Sequence, residues 1–107
     1  MIVVIVIVVN FKNYKVGKEA VLLARDVFEV LPNAVVAVDS GDLNAVYSKF
    51  GKRVFAQHVD YVKDEKSTGF FSAKAAKSEG AVGSLLNHSE HRLKFEVVKK
   101  IVEQLKR

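Results

Sequence analysis

The chain contains no cysteine, which excludes a disulfide framework and a thiolate metal site and leaves the redox compartment open, with the cytoplasm as the simpler expectation. It also has no apolar run long enough to cross a bilayer. The longest, MIVVIVIVV over 1–9, falls far short of the ~20 residues a spanning helix needs. That run carries neither a basic leader nor a small-residue cleavage site, and its β-branched residues read as a strand, so no membrane partner is expected. No linker-like stretch marks a second domain. With 107 residues, half of them apolar, the chain is read as one domain over 1–107 that buries a core.

Charge of one sign is only mildly in excess. The 17 Lys and Arg against 12 Asp and Glu give a net charge of +5, which attracts phosphorylated ligands or nucleic acid at long range. Most of the excess lies in HRLKFEVVKKIVEQLKR (91–107), where Lys94, Lys99, Lys100, Lys106 and Arg107 fall between the apolar positions of a helix. The aromatics are not interleaved with these cations as a base-stacking platform requires. The basic residues are therefore read as a solvated helix face, and no nucleic-acid partner is expected.

Strand and helix patterns alternate along the chain. The apolar run over 2–9 has the character of a parallel strand covered on both faces. After NFKNYKVG (10–17), Ala20, Leu23, Ala24, Val27, Phe28 and Leu31 recur at helical spacing and are closed by Pro32 and Asn33. Three more units follow: AVVAV (34–38) with a helix near 42–48, RVFAQ (53–57) with a helix near 72–79, and AVGSLL (81–86) with a helix over about 90–106. The expected fold is α/β, a (βα)4 arrangement of parallel strands and alternating helices. Ser89 is placed to cap the last helix, and the 13-residue loop HVDYVKDEKSTGF (58–70) is longer than such connections need.

In parallel α/β folds the carboxyl ends of the strands share one edge, where helix N-termini favour anions. The residues at these ends are Asn10 and Lys12, then Asp39, then Gln57 and His58, then Asn87, His88, Ser89 and Glu90. They form a polar ring on an otherwise apolar set of strands and a candidate ligand site. His88, just before the expected helix start, lies where the helix dipole disfavours imidazolium and a neutral ring can donate a hydrogen bond to a carbonyl. A metal is not expected, because His88 and His91 at i, i+3 lack a third ligand at suitable spacing. Nothing in the pattern calls for a cofactor. Asp39, Ser40 and Gly41 read as a polar turn, and Asp42 as the cap of the helix that follows.

Four stretches stand in order, VVNFKNYK after the first strand, VFAQHVD at the third, STG in the long loop and GAVGSLLNHSEHR at the fourth. Together they resemble the triosephosphate isomerase family, most closely its archaeal form, over essentially the whole chain but only half of that family's (βα)8 barrel. The resemblance implies a half-barrel of that fold. It also implies an interconversion of glyceraldehyde 3-phosphate and dihydroxyacetone phosphate, with a triose phosphate or other small anion as ligand. It implies that Asn10 and Lys12 bind substrate, the lysine contacting the phosphate and the developing oxyanion. His88 becomes the electrophilic histidine, followed by Ser89 and Glu90, and Lys12, His88 and Glu90 stand as the catalytic candidates. Gln57 and Thr68 match positions of subunit contact, to which Phe70 and Phe71 are added as candidates.

Some features depart from the family pattern. AVDSGD (37–42) differs from its second-strand ending, and TGFF (68–71) puts Phe70 and Phe71 where polar interface residues are usual. The family's general base, its lid and its phosphate-binding amides belong to later units. Two expectations follow: an enzyme half that needs a complementary half-barrel chain, or a non-catalytic, self-assembling half-barrel scaffold. A slice of barrel exposes two strand edges and an apolar inner face, so a homo-oligomer is expected. If two copies close head to tail, Asp39 of one copy falls where the family's base stands.

Overall fold

The computed structural model describes residues 2–107. It contains four βα units: β1 (Val8–Asn10), α1 (Lys18–Val30), β2 (Val35–Val38), α2 (Leu43–Phe50), β3 (Val54–Ala56), α3 (Ala73–Ser78), β4 (Gly83–Ser84) and α4 (Phe95–Leu105), with a short 3-10 turn at Ser40–Asp42 before α2. The strands form one parallel sheet in the order β1-β2-β3-β4, as the alternating pattern implies.

The period of two along each strand sorts its side chains. Val36, Val38, Val54 and Ala56 join Ala20, Ala24 and Phe28 of α1, Leu43 and Val46 of α2, Ala76 of α3 and Ile101 of α4 in a single core between sheet and helices. Alanines at 20 and 24 let α1 lie close to the sheet. The Phe28 and Phe50 rings, 5.6 Å apart and tilted by 60°, join α1 to α2. On the opposite face Phe55 stands between small neighbours, Ala37 and Gly83. A Cβ on Gly83 would fall 2.7 Å from the Phe55 ring, so any larger residue there would have to displace that ring.

Helix boundaries follow local chemistry. Ser72 accepts the Ala75 N–H at the start of α3, and Gly51, at φ +60°, closes α2 in the left-handed region. Asp42 does not cap α2 with its side chain, contrary to expectation. Its buried carboxylate instead accepts the Gly17 N–H at 3.0 Å to each oxygen, tying the loop after β1 to the start of α2.

Two further expectations are corrected. The first strand does not run over 2–9. Pairing begins where Val35 donates its N–H to the Ile7 carbonyl at 2.9 Å, and β2 cannot start earlier because Pro32 and Asn33 precede it. Residues 2–6 have no strand beside them, and Ile2, Val3, Val4 and Ile5 are 70 % exposed or more. The last helix begins at Phe95 rather than about 90, because Asn87, at φ +56°, accepts the Leu93 N–H on its side chain at 2.8 Å. That bond folds 87–93 into a closed loop, leaving Ser89 in a turn.

Candidate active site

The carboxyl ends of the strands enclose a cavity of about 530 Å³. Asn10, Lys12, Gln57, His58, His88 and Glu90 line it, together with Tyr14 and His91. Most of the polar ring expected at the strand ends therefore meets in one place. Asp39 and Ser89 are not among the lining residues. Asp39 spends a carboxylate oxygen on the Gly41 N–H at 2.9 Å, the polar turn anticipated for it.

Lys12 is held by its backbone. It sits at φ +51°, a region that costs a residue with a Cβ about 1–2 kcal/mol. Its N–H donates to the Asn10 side-chain oxygen at 2.9 Å, and its carbonyl accepts from the Gln57 side-chain amide at 2.8 Å. Gln57 also donates to the Ala37 carbonyl at 3.3 Å, so two side chains fix the peptides on either side of Lys12 and aim the lysine from a strained but determined position. The Lys12 ammonium meets the Glu90 carboxylate at 3.2 Å.

His88 stands at the base of the turn that carries Glu90. The Glu90 backbone N–H donates to Nδ1 of His88 at 3.0 Å, a bond that requires a lone pair on Nδ1 and so leaves the ring proton on Nε2. The Glu90 carboxylate lies farther from Nδ1, at 3.5 Å. The helix dipole expected to keep His88 neutral is not beside it, since α4 begins seven residues further on, and a local amide fixes the ring instead.

A pair of histidines adds a feature that no sequence pattern announced. The rings of His58 and His91 stack with centroids 3.6 Å apart and planes 9° from parallel. His58 Nε2 lies 3.2 Å from an Asp60 carboxylate oxygen. The pKa of His58 is lowered from 6.5, first by burial and then by His91, against the raising effect of Asp60. Among the described residues no cluster of three or more His, Cys, Asp or Glu is placed to hold a metal ion.

The candidate contact residues divide. Gln57 is used within the chain, on Lys12. Phe71 packs partly against the core, accepts the Asp60 N–H on its carbonyl and donates its own N–H to the Asp60 carboxylate. Thr68 and Phe70 are exposed on the long loop, Phe70 lining a second groove with Val62, Val82 and Leu105.

A parallel (βα)4 sheet with an anion-suited cavity at its strand ends is one half of a TIM barrel. The fold matches the crystal structure of triosephosphate isomerase from Bartonella henselae with a TM-score of 0.82, at 21% identity, covering 94% of this chain and 46% of that one. The sequence model of triosephosphate isomerase matches residues 5–107, and the chain belongs to the triosephosphate isomerase family. It is 38% identical over 106 residues to the triosephosphate isomerase of Methanothermus fervidus and 37% identical over 107 residues to that of Archaeoglobus fulgidus. Each alignment takes in 94% of this chain and 48% of the relative, so the chain spans about half the length of the curated relatives it matches.

Proposed function

We propose that the chain supplies the electrophilic half of a triosephosphate isomerase site. The observation that carries this reading is the linkage of Lys12, Glu90 and His88 around one cavity, with Lys12 on Glu90 and the Glu90 amide on His88. Lys12 offers a positive charge to a phosphate or to a developing enediolate oxygen, and His88 offers a hydrogen from Nε2 to a substrate carbonyl oxygen. Asn10 and Gln57 hold the lysine in place. Glu90 offsets the lysine charge until an anion enters.

Isomerisation also needs a base on the carbon-bound proton. The base that the family resemblance places after a sixth strand is not among these 107 residues. The 107-residue chain is therefore expected to bind anions at the strand ends and to turn substrate over weakly or not at all, until a complementary half-barrel is added. The test is exchange of the substrate's carbon-bound hydrogen with solvent, followed for the repurified chain and for its Lys12→Ala and Asp39→Asn variants. Turnover near that of a complete barrel from the chain alone would refute the reading. A rate unchanged by Asp39→Asn removes Asp39 from any catalytic role.

The second reading, a self-assembling half-barrel, is favoured by the surface. The chain exposes 7588 Å², roughly 1,600 Å² more than a compact monomer of its mass, and its radius of gyration of 14.2 Å exceeds the roughly 13 Å of a compact chain of this length.

A further inference from the structure

We infer that His91 is a positioning residue for the turn that carries His88 and Glu90, and that its stack on His58 is an acid-sensitive latch between the loops that follow β3 and β4. The role assigned to the turn rests on the proposed isomerase half-site.

The two rings have unequal support. His58 belongs to the framework: its side chain is 15% exposed and meets Asp60 at 3.2 Å. The other Asp60 oxygen accepts the Phe71 N–H at 2.8 Å, and the Asp60 N–H donates to the Phe71 carbonyl at 2.7 Å. His91 is exposed and lies outside any helix. Its N–H donates to the His88 carbonyl at 2.8 Å, so a displacement of His91 is passed to His88 through the short turn between them and directly through one hydrogen bond. The 3.6 Å stack therefore docks a turn held mainly by its own bonds onto a loop anchored elsewhere.

Two uncharged imidazoles stacked at this distance attract through dispersion, and one cation on a neutral ring is tolerated, whereas two cations at this separation repel. The charged and titratable groups around the pair are Asp60 on the loop of His58, His88 and Glu90 on the turn of His91, and Lys12 and Tyr14 from the loop after β1. Glu90 is engaged with Lys12, so Asp60 is the carboxylate left to favour protonation of His58. Burial and His91 outweigh it. Once both rings are charged the stack at 3.6 Å repels itself, and acid thereby releases the turn from the loop after β3.

Heteronuclear NMR of the imidazole C–H groups, recorded between pH 8 and pH 5 on the 107-residue chain, tests this. In the wild type, protonation of His58, expected below pH 6.5, should shift the His91 ring resonance at the same pH, with the His88 resonance moving in that step. His91→Phe keeps an aromatic face and removes the charge that lowers the His58 pKa, so the His58 titration should move up toward 6.5 and His88 should cease to follow. His91→Ala should displace the His88 resonance already at pH 8. A His58 titration that leaves the His91 resonance unmoved in the wild type, or a His88 resonance identical in wild type and His91→Ala throughout, overturns the inference. Inorganic phosphate added at pH 8 is a separate arm: failure to perturb Lys12 and His88 refutes the anion-site reading, while the latch stands or falls on the histidine titrations.

Discussion

Lys12 pays for its aim in backbone strain, and a substitution can separate the two. Glycine occupies φ +51° without a Cβ clash. Lys12→Gly is therefore expected to raise the urea midpoint, by up to about 1 kcal/mol in unfolding free energy, while abolishing phosphate binding; a lower midpoint would show that the Glu90 pair or the lysine stem outweighs the strain. His58 makes the opposite kind of contribution, one that depends on pH. Its folded-state pKa lies below the 6.5 of the unfolded chain, so between the two values the unfolded state binds more protons. Its stabilising effect is complete above pH 6.5 and is lost as the pH falls through that value and the lower folded one. Urea midpoints at pH 7.5 and pH 5.0 should fall with acid in the wild type and fall less in His58→Phe.

Helix α4 meets the core through Ile101, which is 1% exposed. Ile101→Ala should lower stability by about 2–5 kcal/mol, read from chemical denaturation, and a loss under 1 kcal/mol would mean that α4 is not integral to the core. Its stripe of Val97, Ile101 and neighbouring apolar residues was legible in the sequence, as were α1 and the four-unit order, because burial against a sheet imposes a period that side-chain chemistry displays directly. The start of α4 was not legible. The side-chain bond from Asn87 to the Leu93 N–H competes with helix at Ser89, and nothing in NHSEHR distinguishes that loop from a capped first turn. The first strand was over-read for a related reason: Val3 through Ile7 have strand character, but pairing is decided by where Pro32 lets β2 begin. Of the site, Asn10, Lys12, Gln57, His58, His88 and Glu90 could be collected from strand ends alone. The stack of His58 on His91 could not, since it joins two loops whose approach is set by the sheet order.

The molecule measures 40 × 40 × 25 Å along its principal axes, a plate with free edges at β1 and β4. Its excess surface, roughly 1,600 Å² per chain, would total about 3,200 Å² across a pair of copies, the size that obligate interfaces bury. Light scattering across a dilution series is expected to show association that reverses at low concentration. A monomer persisting at micromolar concentration would count against self-assembly and leave a complementary half as the expected cover.

The apolar overhang at residues 2–6 carries no charge, while the body behind it carries the net +5. Such a molecule has the outline of a surfactant, an oily tail on a cationic head. Like charge on the heads holds the tails of different copies apart, and added salt removes that repulsion within about 10 Å at 0.1 M. Association should therefore grow with ionic strength, the reverse of what a complex held together by ion pairs would do, and replacing Val4 with lysine should flatten that dependence.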